Sequence, residues 1–113
     1  MAVTFTRDEI PPGTLYMLVL KTLARHGELH GYEIVNAIQQ ISDEVLQVEE
    51  GSLYPALQRM LLKGWVTSKW GVTAGNRRAR YYKLTVDGRK QLTTELNRYQ
   101  RVCGAIQKVI QPA

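Results

Sequence analysis

Ser52, Tyr54, Gln58 and Arg59 recur at helical spacing in a segment without acidic residues. Hydroxyl, phenol, amide and guanidinium groups on one helix face are the donors and acceptors used in nucleic-acid grooves. Gln58 and Arg59 suit base edges, and Ser52 and Tyr54 suit phosphates. Tyr54 serves equally well as a packed ring. Pro55 and Lys63 share the same outward face. The acid-free stretch is longer than this helix. From Gly51 through Val86 the chain carries Arg59, Lys63, Lys69, Arg77, Arg78, Arg80 and Lys83 and no Asp or Glu. A surface of that kind neutralises phosphates and releases their counterions. Acids gather elsewhere, at Asp8, Glu9, Glu28, Glu33, Asp43, Glu44, Glu49 and Glu50.

Within the basic stretch, Gly75-Asn76-Arg77-Arg78-Ala79-Arg80 reads as a polar, arginine-rich hairpin tip. Such a tip follows a phosphate backbone or enters a narrow minor groove, where the negative potential is enhanced. Tyr81 and Tyr82 fall on opposite faces of the strand that follows. One belongs to the core and the other is free to touch phosphate; the alternation does not say which, and Tyr82 is taken as the DNA contact.

No catalytic constellation accompanies these groups. His26 and His30 lack a nucleophile or second ligand at motif spacing and read as helix-end residues. The lone Cys103 reads as a packed residue and excludes an intrachain disulfide, in keeping with a reducing cytoplasm. Neither a metal nor a cofactor is expected, and the chain is not expected to be an enzyme.

These groups need a scaffold, and the hydrophobic periodicity supplies one. The 113 residues carry a net charge of +5 and suit one domain with a modest core. A first helix is expected from Thr14, as N-cap, to Arg25, stopped by Gly27. Leu15, Leu18, Val19 and Leu23 give it one apolar stripe, and Tyr16, Met17, Leu20 and Ala24 a second. That predicts burial both in its own core and against something else. A second helix begins at Gly31, with Glu33 placed for a partial capping box at His30, and ends near Ser42-Asp43. The third spans Gly51 to Lys63 with a core stripe of Leu53, Leu57, Met60 and Leu61, and Pro55 in or near its first turn. Trp65–Trp70 and Arg80–Leu84 form a hairpin. A long last helix starts near Thr85 and runs to Ile110. Its Leu92, Leu96, Tyr99, Cys103, Ile106 and Ile110 make a heptad seam that predicts a helical partner.

The expected architecture is mainly α: a winged helix-turn-helix of three helices and a two-stranded β-wing, with a long C-terminal dimerisation helix. It divides into an arm (1–13), a DNA-binding unit (14–84) and a dimerisation helix with tail (85–113). No apolar run reaches membrane length, and Met1–Arg7 lacks the apolar core of a signal peptide, so a cytoplasmic location is expected.

Three strings also resemble the PadR family of bacterial transcription regulators. They are His30-Gly31-Tyr32-Glu33-Ile34, Gly51-Ser52-Leu53-Tyr54-Pro55-Ala56-Leu57 and Arg77-Arg78-Ala79-Arg80-Tyr81-Tyr82-Lys83-Leu84-Thr85. The likeness covers residues 13 to 110 and is similar in length to the short subfamily with one C-terminal helix. It implies a homodimeric repressor of double-stranded DNA, with the third helix in the major groove and the wing on backbone or minor groove. Its first and last helices would dimerise through Leu15, Tyr16 and the heptad residues. Glu49-Glu50 stand where the family often has Ser-Pro; they suit the helix dipole but repel phosphate. Some members hold flat aromatic drugs with a tryptophan on the last helix, whereas Trp65 and Trp70 here lie in the hairpin. Tyr16, Met17, Tyr99, Val102 and Ile106 form a candidate pocket for a small apolar effector, or else the dimer core. Two other readings compete: a ligand-sensing dimer in which DNA binding is secondary, and an RNA-binding protein, for which paired stacking aromatics on a sheet are missing.

Overall fold

The computed structural model describes residues 8–11 and 13–112. The arm expected over 1–13 therefore falls largely outside the described residues, at 1–7 and Pro12. Of the rest of it, Asp8–Glu9 (β1) pairs in parallel with Leu46–Gln47 (β3). The remaining elements are α1 (Leu15–His26), β2 (Glu28–His30), α2 (Gly31–Ile41), α3 (Glu50–Leu62), β4 (Val66–Val72), β5 (Arg78–Leu84) and α4 (Val86–Ile110).

Helix α1 is the centre of the fold. Met17, Val19, Leu20 and Leu23 are buried, and Leu15, Tyr16, Leu18 and Ala24 pack partly against the same core. The helix meets α2, α3, α4 and the sheet. Both of its apolar stripes are thus engaged by its own chain. Thr14 stands at the N-cap position without capping; its hydroxyl donates to the Pro11 carbonyl at 2.7 Å. Gly27, at φ 86°, ends the helix as expected.

At the start of α2 the capping box is complete. The Glu33 N–H donates to His30 Nδ1 at 3.4 Å and the His30 N–H donates to Glu33 Oε1 at 3.1 Å. Helix α3 buries Leu53, Ala56, Leu57 and Met60 and turns its remaining face to solvent. Pro55 lies in its second turn, where its missing N–H removes the helical hydrogen bond to the exposed Gly51 carbonyl.

The wing is part of a three-stranded antiparallel sheet, ordered β2-β5-β4, rather than an isolated two-stranded ribbon. Strand β2 pairs with the base of β5, Leu29 opposite Tyr82 and His30 opposite Tyr81. Beyond His30 the β4–β5 hairpin continues alone, with Trp70 opposite Arg80 and Val72 opposite Arg78. Its turn is closed by Thr73 N–H to the Arg77 carbonyl and by Asn76 at φ 61°. Asparagine tolerates that left-handed conformation.

Helix α4 leaves the sheet at Thr85, whose hydroxyl donates to the Gly64 carbonyl and accepts from the Gly88 N–H. Its first half belongs to the core: Gly88, Leu92 and Glu95 are buried and Leu96 is partly so. Leu92 is only 7% exposed, so this part of the expected intersubunit seam is filled by the chain's own core instead. The second half extends away, exposing Tyr99, Val102, Ile106, Val109 and Ile110. Among the described residues no helix is long and apolar enough to cross a membrane.

Candidate DNA interface

Burial of Leu53, Ala56, Leu57 and Met60 fixes which side of α3 is free. Ser52, Tyr54, Pro55, Gln58, Arg59 and Lys63 are all exposed. Tyr54 both packs and presents its edge. Its ring lies over Gly31, where an added Cβ would come within 2.9 Å of the phenol oxygen. A side chain at that position would push the Tyr54 ring outward. Glu49 and Glu50 sit exposed at the start of α3, with no side-chain cap from Glu49.

Strand register decides which wing residues face this helix. Val66, Ser68, Trp70 and Val72 share a face with Leu84, Tyr82, Arg80 and Arg78. At the sheet's base that face is core. At the tip it is open, and between tip and helix lies a cleft of about 800 Å³. The start of α2 (His30–Glu33), Tyr54 and Gln58 from α3, and Trp70, Arg77, Arg78 and Arg80 from the wing line it. The Arg78 Cζ lies 4.4 Å from the centroid of Trp70, and that of Arg80 5.7 Å.

Tyr82 is only 4% exposed, a core residue, and not the surface contact expected of it. Burial raises its phenol above the ordinary value, against the opposing charge of Arg80. Tyr81 is the half-exposed member of the pair. Its ring meets His30 edge-on and covers Gly71. Lys69 shares this outer face and pairs with Glu28 at 3.2 Å, so it does not line the cleft. Lys63 lies at the far end of α3, its ammonium over the Trp65 ring. Trp70, 57% exposed between two guanidiniums, was missed by sequence reasoning. Alternation alone does not place it beside Arg78 and Arg80 until the register is known.

The five residues expected to form an effector pocket are divided between α1 and α4 of the chain. Met17 is 6% exposed within the chain's own core, while Tyr99, Val102 and Ile106 lie on the projecting half of α4. Tyr16 packs edge-on against Trp65. Among the described residues no group of three or more His, Cys, Asp or Glu could hold a metal ion.

An exposed helix beside a basic, three-stranded wing is the layout of a winged helix-turn-helix. Residues 19–94 match the Transcriptional regulator PadR-like family. The chain belongs to that family. It is 27% identical to a transcriptional regulator from Clostridium thermocellum, whose structure superposes with a TM-score of 0.79 over 88% of this chain and 95% of that one. A PadR family regulator from Eggerthella lenta DSM 2243 is 28% identical, with a TM-score of 0.73 over 89% of this chain and 85% of its own. The negative transcriptional regulator PadR of Bacillus subtilis (strain 168) is 26% identical over 80 residues, 71% of this chain but 44% of that protein. Members of the PadR-like family are DNA-binding transcriptional regulators, not enzymes, and this chain is one of them.

Proposed function

We propose that this PadR-like regulator is a cytoplasmic homodimer that represses transcription from a near-palindromic operator. The observation that carries the reading is the juxtaposition of Tyr54 and Gln58 on the exposed side of α3 with the arginine wing across one cleft. In this reading α3 lies in the major groove, Gln58 and Arg59 address base edges, and Arg77, Arg78 and Arg80 hold phosphates. Tyr54 lines the cleft with Gln58, and the exposed Ser52, Pro55 and Asn76 are proposed as further contacts. The projecting half of α4, with Tyr99, Val102, Ile106, Val109 and Ile110 exposed, supports pairing between two chains. Two-fold pairing would set two α3 helices in successive major grooves, roughly 34 Å apart. Repression is favoured by the likeness to the negative regulator of Bacillus subtilis.

A genome-wide map of bound sites, read beside transcript levels in a deletion strain, tests this. Recurrent inverted repeats with half-site centres about one helical turn apart, and transcripts that rise on deletion, are the expected outcome. Transcripts that fall would reverse the sign of regulation, and bound sites without symmetry would remove the dimeric readout.

A further inference from the structure

We propose that Trp70 is the positioning residue of the wing: its indole holds Arg78 and Arg80 ready for phosphate. The proposal rests on the reading of the wing as a phosphate-binding element. Three observations converge on it.

Arg78 and Arg80 are two residues apart on one strand, so their like charges stand on the same face. Among the described residues neither has a carboxylate partner, and no acid occurs between Gly51 and Val86. Their favourable contact is the π-face of Trp70, at 4.4 and 5.7 Å.

A stacked guanidinium uses its flat face and leaves its N–H edges free. Those edges make the bidentate contact with a phosphate. An arginine that is already ordered loses less side-chain entropy when it binds. With both guanidiniums beside it the ring is still 57% exposed, so the cluster stays open to a ligand. Trp65, by contrast, is half-buried against Tyr16 and packs with the core.

Phosphate contacts are common to all sequences, so no operator is needed for the test. A fluorescein-labelled 24-base-pair random duplex is titrated with full-length protein across a salt series. Wild type, Trp70→Leu, Trp70→Phe, Arg78→Ala/Arg80→Ala and the corresponding triple variant with Trp70→Leu are compared. Trp70→Leu is expected to weaken binding about fivefold with an unchanged salt slope, and Trp70→Phe, which keeps a ring, about twofold or less. The double arginine variant is expected to lose both affinity and slope. The triple variant is expected to match the double, because Trp70 acts through the arginines.

Wild-type affinity in Trp70→Leu would overturn the proposal while leaving the wing as a DNA contact. A fivefold loss that persists without the arginines would also overturn it, since Trp70 would then act alone. Wild-type protein without salt-dependent binding would overturn the reading of the wing itself, and this proposal with it.

Discussion

Gly88 shows how one residue fixes the relation between wing and helix. A Cβ there would run into the Trp65 carbonyl and the Leu84 side chain. That carbonyl cannot easily yield, because it accepts the Thr85 N–H at 3.0 Å. Gly88→Ala is therefore expected to cost ~1–3 kcal/mol through overpacking. Gly104 is the control on the same helix, with nothing within 4 Å of an added Cβ. Gly104→Ala is expected to stabilise α4 by ~0.5–1 kcal/mol through lost backbone freedom. Urea denaturation of both variants reads the contrast. Equal effects would mean that Gly88 is not a close-packing position. Tyr81 and Tyr82 carry a related lesson. Alternation separates them onto two faces, but only the packing of the sheet on the core shows that Tyr82 goes inward.

Helix α4 joins two environments in one continuous element. Its heptad was legible from Leu92 to Ile110, yet periodicity reports only that a face is apolar, not what covers it. Leu92 and Leu96 are covered by the chain itself, while Tyr99, Ile106 and Ile110 stay exposed. Ile106→Asp is thus expected to split the proposed dimer and leave the winged domain folded. Sedimentation should give half the wild-type mass, with the helical circular dichroism spectrum retained. A dimer that survives at micromolar concentration would show that α4 is not the pairing element. The order of helices and hairpin was equally legible, because each helix has its stripe and a glycine, Gly27 or Gly64, follows α1 and α3. Strand β2 was not. Glu28-Leu29-His30 is short and lacks β-branched residues, and it is a strand because β5 offers it an edge. The candidate site was legible as a charge distribution and a helix face. Sequence reasoning did not see that Lys69 pairs with Glu28, or that Trp70 sits between two arginines, since both depend on strand register.

The molecule as a whole measures 55 × 41 × 22 Å and sets different chemistry on its parts. The acid-free run places positive charge on the wing and the C-terminal end of α3, and Tyr99, Val102, Ile106, Val109 and Ile110 are exposed on the projecting end of α4. Such a layout separates the surface that attracts phosphate from the surface suited to another chain. In the proposed division of recognition, α3 reads sequence and the wing holds backbone. The most direct measurement is a salt titration of wild type, Gln58→Ala, Arg59→Ala and Arg78→Ala on a bound genomic duplex and on its scrambled counterpart. Arg78→Ala is expected to weaken both duplexes and lower the salt slope by about one for each wing engaged. Gln58→Ala or Arg59→Ala is expected to cost ~1–3 kcal/mol on the genomic duplex and little on the scrambled one. Equal losses on both duplexes for the helix variants, or no loss on either for Arg78→Ala, would contradict that division.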